Sequence, residues 1–511
     1  MSTRRLDRSP AGRAELTGGV WAAQRRPLTV GLVLAVTLVA FEALAIATVL
    51  PVVSRHLGDL RLYGWVFSAF MLTSLIGIVV AGTLADRGPL APPMLAGLAL
   101  FASGLVVGGT APDMPVLVAG RAVQGLGAGF VPAVAYVAIS RGYPEKSQPR
   151  MFAILSTAWV VPGLIGPAIA ALVATTAGWR WVFLGLVPLV VLTGALAVLA
   201  MKHVPVPART RHASVPYLTV FGVVVGTAVA LAGITSGGLP AVIGGVLVGG
   251  LLLVTCLRRL APPGTLTARR GLPVTVLNRG LLTCCFFAAD VYVPYSITTV
   301  RHSPTLLAAL ALTAGTLTWT VGSWVQARNI GRLGPRRLVR TGELFVLAGL
   351  GLMSVTLLPV VPPELGLLAW GVAGGGMGLA YAPLSVTTLD LAAPGAEGKA
   401  TASLQLFDVL GQAIGTGVAG GIVAATAEGL GHRSGVGLAF GFGMVVGVFA
   451  LAVGARLPAR RTASRDDPVP VGCPEPAPTP TMIPPSLIPP SLSPPSLSPP
   501  TTLTIELPTA D

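Results

Sequence analysis

Apolar runs of about twenty residues recur along almost the whole of this chain, from near residue 28 to near residue 456. No other feature restricts its fold so tightly. Wound as a helix, each run matches the thickness of a bilayer's hydrocarbon core, whereas barrel strands would alternate over about ten residues. With 53% hydrophobic and only 10% charged residues, and a mean hydropathy of +0.78, the chain lacks the polar surface to cover a water-soluble globule. The expectation is an all-α polytopic membrane protein embedded in a lipid bilayer.

Fourteen spans are expected, near 28–52, 62–84, 91–111, 114–140, 149–174, 180–200, 215–236, 239–258, 274–299, 304–327, 337–359, 363–390, 400–426 and 434–456. Alternate loops carry Arg87; Arg141, Lys146 and Arg150; Lys202, Arg209 and Arg211; Arg258, Arg259, Arg269 and Arg270; and Arg328, Arg332, Arg336, Arg337 and Arg340. The opposite loops hold Arg55, Arg61, Arg180, Arg301 and Arg433. By the positive-inside rule both termini face the cytoplasm. The formal net charge of +15 is spread over short loops and tails, so it reads as membrane orientation and not as a nucleic-acid surface. "STRRLDR" stands some twenty residues ahead of a run too long for a signal core, so no cleaved signal is expected. Cys256, Cys284, Cys285 and Cys473 imply no disulfide framework. From about Pro458 the composition shifts, and "PPSLIPPSLSPPSLSPP" repeats every five residues without apolar content for a core, the pattern of a disordered or polyproline-II tail.

Spans 1–6 and 9–14 read as two copies of one unit. Arg55-His56 recurs as Arg301-His302, Gly82 can be laid on Gly322, and "GLGAGFVPA" from Gly125 lies over "GMGLAYAPL" from Gly376. The copies are separated by an even number of spans and so share an orientation, as in carriers built from parallel halves. The organisation expected is a segment 1–27, a six-helix bundle 28–200, a linker with two inserted helices 201–273, a second six-helix bundle 274–456, and a tail 457–511.

"GTLADRG" (82–88), "RAVQGLGAG" (121–129), "PGLIGPAIAA" (162–171) and "GWRWVFLGLVP" (178–188) together resemble the signatures of the major facilitator superfamily, and of its fourteen-helix drug:proton antiporter branch. This sequence departs from them in "PLAPP" after Gly88, where basic residues are usual, and in Ala170-Ala171, where a glycine pair closes the motif. The resemblance implies the major facilitator fold, two six-helix bundles plus two inserted central helices, and alternating access of small-molecule substrates driven by protons.

Glu42 stands nine residues before Pro51 in span 1, where the branch typically has an aspartate. A carboxylate in the hydrocarbon layer costs on the order of 2.5–3.5 kcal/mol on the mildest insertion scale, so intramembrane acids tend to be functional. Asp290 is the repeat-related acid of span 9, and the resemblance implies that both acids face one central cavity. Arg121 is read as the one basic residue deep in an apolar span; the resemblance gives it a part in proton transfer, the alternative being a structural ion pair. Glu42, Arg121 and Asp290 are thus the expected proton-coupling set, with Asp408 open between a functional and a structural reading. Phe41, Gln124, Trp159 and Phe287 are candidates for the substrate cavity, and Gly82, Asp86, Arg87, Gly166 and Pro167 for gating. Gly166-Pro167 removes a backbone hydrogen bond and bends span 5, while Asp86 and Arg87 can pair with a neighbouring helix end.

All five histidines fall in loops or at span ends, and no metal-ligand spacing, phosphate loop or nucleophile elbow occurs. No enzyme activity, cofactor or metal is therefore expected. The leading expectation is a monomeric, proton-coupled exporter of amphipathic or cationic organic compounds in a bacterial inner membrane; three lysines among 34 basic residues suit a high-GC genome. The alternatives are a carrier of an endogenous metabolite, lipid or siderophore in the same fold and, more remotely, a membrane receptor or scaffold.

Overall fold

The computed structural model describes residues 20–144, 147–202, 204, 217–393, 396–427 and 429–459. The proline-rich tail from residue 460, the first nineteen residues and the loop charges Lys146, Arg209 and Arg211 lie outside the described residues, as do His203, His212 and Cys473.

The described chain is helical throughout. In order the helices are α1 (Arg26–Leu57), α2 (Trp65–Arg87), α3 (Ala91–Gly109), α4 (Met114–Gly142), α5 (Gln148–Thr157), α6 (Val160–Thr176), α7 (Arg180–Leu184), α8 (Val187–Met201), α9 (Tyr217–Thr235), α10 (Leu239–Leu260), α11 (Leu272–Asp290), α12 (Tyr292–Tyr295), α13 (Thr305–Val355), α14 (Leu365–Asp390), α15 (Glu397–Ala427) and α16 (Gly431–Gly454). A π-helical turn, Ser296–Val300, continues α12. Among the described residues twelve helical stretches are long and apolar enough to cross a bilayer, with α7 and α8 forming one of them. Val160–Thr176 is apolar but shorter.

Local chemistry sets the boundaries. Proline occupies the first turn of α1, α3, α4, α8, α10 and α11, where its missing N–H has no helical partner to lose. Asp113 caps α4, its Oδ1 accepting from the Val116 N–H at 2.9 Å. The expected span 149–174 is split between α5 and α6 at Ala158-Trp159; Pro162, in the first turn of α6, has no N–H to give the Ala158 carbonyl. The loop expected between spans 10 and 11 is reduced to a break inside α13, whose 51 residues form two helices that pack along α14 in opposite directions, Gly315 and Gly322 against Gly374 and Gly378, Gly349 and Gly342 against Ala373 and Gly376. α13 bends at Gly334, whose φ of 74° and ψ of 160° break the helix ahead of Pro335.

Helix packing repeats along the chain, and glycines set its register. A Cβ at Gly125 would collide with Phe70, and one at Gly129 with Ser74; likewise Gly374 abuts Gly315, and Gly378 abuts Trp319. On the opposite face Gly127 meets Gly97, and Gly376 meets Gly342. The α4 and α14 positions are 249 residues apart, and their partners 245 apart. Gly322 therefore corresponds to Gly77 and not to Gly82, and Gly125 to Gly374 and not to Gly376. Glycines spaced two apart let the sequence slide by two residues; backbone contact permits one register. Gly82 itself has nothing within 4 Å of a Cβ position, so close packing does not require it.

A group of close contacts joins the repeats at one end. Gly64 abuts the backbones of Thr416 and Gly420. Ser68 Oγ donates to the Ala413 carbonyl at 2.9 Å, and the Tyr63 ring lies 5.2 Å from Tyr292.

Candidate functional site

Among the described residues two buried ion pairs lie within the helices. In the first, α4 presents Arg121, 1% exposed, to Glu42 of α1, also 1% exposed. Arg121 Nη1 donates to Glu42 Oε1 and, at 2.7 Å, to Gln124 Oε1, while Nε donates to the Val66 carbonyl at 3.0 Å. The guanidinium carbon stands 4.2 Å from the centre of the Phe70 ring. Three helices thus converge on one cation. Gln124 also lies within side-chain hydrogen-bonding reach of Glu42, while Glu42 Oε2 and Gln124 Nε2 make no bond of good geometry.

In the second pair, Arg279 of α11 donates through Nε to Asp408 Oδ1 of α15 at 2.8 Å. Arg121 is therefore not the sole deep cation, as the sequence reading has it; Arg279 is 4% exposed. It escapes notice because it falls seven residues from the start of α11, where an arginine reads as an end charge. The usable signal is Asp408, an unmatched acid in another span that needs a cation. Tyr381 completes this cluster, its hydroxyl donating to Asp408 Oδ2 at 2.9 Å.

Asp290, at the end of α11, is half-buried and accepts from the Trp370 side chain. In the packing register Trp370 stands where Arg121 stands in α4. Phe286 stacks on Trp370 with ring centres 4.7 Å apart.

Glu343, in the second segment of α13, is 1% exposed, and neither of its oxygens meets a donor in good geometry. Asn278 lies beside it with Oδ1 unpaired and Nδ2 donating to Ala450 O at 2.9 Å. The sequence reading passed over this acid, which stands six residues into the expected span 337–359.

A cavity of about 310 Å³ lies between α1, α4, α5 and α14, walled by Val36, Val131, Pro132, Tyr136, Trp159 and Tyr381. Of the four expected cavity residues Trp159 lines it, 48% exposed. Gln124 is in the Arg121 cluster, Phe41 packs by Gly166, next to the Pro167 inside α6, and Phe287 lies edge-on to Phe286. A hollow of about 390 Å³ between α13 and α14 is apolar and holds no titratable group. Asp86 pairs across to Arg141 at 3.9 Å, an exposed contact, and Arg87 is exposed. Among the described residues no cluster of His, Cys, Asp and Glu is fit to hold a metal.

These features have relatives. The Major Facilitator Superfamily profile matches residues 32–416. A "Probable multidrug-efflux transporter" of Mycobacterium tuberculosis (strain ATCC 25618 / H37Rv) is 30% identical over 407 residues, 75% of this chain and 84% of the relative. The "Multidrug transporter protein MdtP" of Bacillus subtilis (strain 168) is 23% identical over 418 residues, 79% of this chain and 76% of that protein. Among solved structures, a D-xylose-proton symporter superposes with a TM-score of 0.60 at 14% identity, covering 85% of this chain and 98% of its own, a likeness of fold alone. The chain belongs to the Major Facilitator Superfamily and is a multi-pass membrane transporter.

Proposed function

We propose that this transporter is a proton-coupled exporter of amphipathic, often cationic, organic compounds, of the fourteen-helix drug:proton antiporter type. The observation that carries the reading is the Glu42–Arg121–Gln124 cluster: an acid buried among the helices, paired to an equally buried cation that also holds an amide and a backbone carbonyl. Such an acid can take and release a proton as the helices around it rearrange. Relatives bearing multidrug-efflux names support the cargo class.

The proposed crossings number fourteen. Twelve helical stretches suffice by length and composition, α13 is long enough to supply two about Gly334, and α5 with α6 supplies one more. Residues 28–200 and 274–456 form the two bundles, and α9 and α10 are the inserted pair. Placing the arginine-rich loops in the cytoplasm of a bacterial cell puts both termini inside. In that orientation the tight contacts around Gly64 are external and the cavity near Tyr136 lies toward the cytoplasm, an arrangement suited to loading cargo from within. Asp290 with Trp370 is the second coupling position, and Gly82, Asp86, Arg87, Gly166 and Pro167 keep their gating roles.

The test is efflux from proteoliposomes holding the purified full chain, with an imposed proton gradient and several cationic and neutral dyes. Uphill dye movement that collapses with the gradient is expected. Movement indifferent to the gradient would overturn the coupling, and transport confined to small anions would overturn the cargo class.

A further inference from the structure

Three segments meet at one end of α11, α13 and α16, and each brings arginines. The chain returns from α10 to α11 through residues 261–271, a tight turn in which Gly264, Ala268 and Gly271 all have positive φ. Arg456, just past α16, donates through Nη1 to the Ala268 carbonyl of that turn at 3.2 Å and to the Thr267 carbonyl at 3.4 Å. Arg336, at the start of the second segment of α13, donates through Nε to the Leu457 carbonyl at 2.7 Å. One turn on, Arg340 Cγ lies 3.4 Å from the Cβ position of Gly454. The turn itself ends in Arg269, whose side chain folds over Gly264, and Arg270. These ties gather six arginines, Arg337 included, on one rim.

The rim carries a large excess of positive charge. Among the described residues none of the six takes part in an ion pair; the acid within reach of Arg340 is Glu343, one turn deeper and buried. Five of the arginines are exposed and Arg336 is half-buried. An anion held between them relieves their repulsion. Apolar side chains are exposed beside the charges: Leu266 stands on the turn among the arginines, and Leu344 of α13 and Phe449 of α16 lie one or two turns deeper. Cations above exposed apolar groups match the phosphate and acyl chains of a phospholipid, whereas a soluble phosphate answers only the charge.

We propose that Arg269, Arg270, Arg336, Arg337, Arg340 and Arg456 form a binding site for the headgroup phosphate of an anionic phospholipid, whose acyl chains run along α13 and α16. A guanidinium can hold two phosphate oxygens at once, and Arg336 and Arg456 keep further N–H groups after their carbonyl bonds are made. One bound lipid thereby joins the α10–α11 turn, the second segment of α13 and the end of α16, and fastens α10 to the second half at headgroup level. The site is separate from the Arg121 and Arg279 clusters and does not rest on the exporter reading. In the orientation proposed above it draws its lipid from the inner leaflet.

The test is thermal melting of the purified full chain in dodecyl maltoside with added dioleoyl phosphatidylglycerol, dioleoyl phosphatidylcholine or glycerol phosphate. Phosphatidylglycerol should raise the wild-type melting temperature by a few degrees to a plateau, as a ligand of the folded state does, and the other two should leave it unmoved. The gain should shrink as sodium chloride is added, because exposed charges are screened. Arg269→Gln/Arg270→Gln/Arg340→Gln removes three charges, spares the carbonyl ties of Arg336 and Arg456, and should lose the gain. Arg150→Gln/Arg328→Gln/Arg332→Gln removes as many exposed charges from other positions and should keep it. No gain from phosphatidylglycerol, an equal gain from phosphatidylcholine, a gain that survives in the first variant, or one lost equally in the second would overturn the site. An equal gain from glycerol phosphate would overturn the lipid as its occupant. If the first variant does not fold, the wild type still decides: a gain indifferent to salt overturns the site. None of these outcomes touches dye efflux, so the exporter reading stands or falls separately.

Discussion

Arg121 and Trp370 occupy the same position in two helices that pack alike, α4 and α14, 249 residues apart. Each lies beside an acid from the opening helix of its repeat, Glu42 for Arg121 and Asp290 for Trp370. Beneath Arg121 is the Phe70 ring; at the equivalent place beneath Trp370 is Gly315, 3.1 Å from the indole nitrogen at its Cβ position. A large ring on one helix is exchanged for a large ring on the other, so the volume is kept while the partner of the acid changes from a cation to a neutral donor. The two acids are thereby differentiated: one is held by charge, the other by a single N–H.

The glycine register gives the first prediction. Gly125→Ala and Gly374→Ala each drive a methyl into the backbone of the facing helix, at Phe70 and Gly315 respectively. Overpacking of this kind costs about 1–3 kcal/mol. Both variants should melt at lower temperature in detergent, whereas Gly82→Ala, with open space at its Cβ position, should melt like the wild type. Any loss of efflux in Gly82→Ala then reflects gating. Equal melting of all three would show that the helices shift freely and that the register has no energetic weight.

Trp370→Phe tests the neutral partner of Asp290. The substitution keeps a ring against Phe286 and removes the N–H that reaches the carboxyl. The hypothesis that Asp290 takes part in coupling predicts a displaced pH profile of efflux with the dye affinity little changed, and a larger loss in Asp290→Asn. An unmoved pH profile in both variants would remove Asp290 from the coupling set.

The spans were legible because about twenty apolar residues admit one economical arrangement in lipid. The repeat was legible too, though slipped by two residues at Gly125 and by five at Gly82, since G-x-G runs match themselves in either register and Gly77 looks no different from Gly82 until a facing backbone is known. Glu42 and Arg121 could be singled out one at a time by the cost of burying charge. Their pairing depends on α1 meeting α4 across 79 residues of sequence, which no local pattern encodes. Arg279 and Glu343 were lost for a related reason: a charge a few residues inside a span looks like a loop charge until the packing shows it buried.

Glu343 supplies a stability prediction. Its oxygens find no good donor, and Asn278 Oδ1 beside it finds none either. Glu343→Gln keeps the shape and introduces an N–H₂ able to meet that oxygen. The variant should melt at the same temperature as the wild type or a few degrees higher, one net hydrogen bond contributing on the order of 1 kcal/mol. A clear drop in melting temperature would mean that the carboxyl itself holds α11, α13 and α16 together.

The last prediction concerns Glu42 and Arg121. Removing one partner of a buried pair strands the other and typically costs about 3–5 kcal/mol, so Glu42→Gln and Arg121→Gln alone confound folding with coupling. The double variant Glu42→Gln/Arg121→Gln strands no charge, and its amides can still bond to one another and to Gln124. It should recover most of the melting temperature lost by either single variant. If the pair serves coupling, this well-folded double variant should still bind dye but lose uphill efflux and its dependence on pH. Arg121→Lys should keep partial function, because a lysine retains the charge but cannot hold Glu42, Gln124 and the Val66 carbonyl in the geometry of a guanidinium. Full, pH-responsive efflux in the double variant would reduce the pair to a helix clamp, and the coupling proton would have to be sought at Asp290 and then at Asp408.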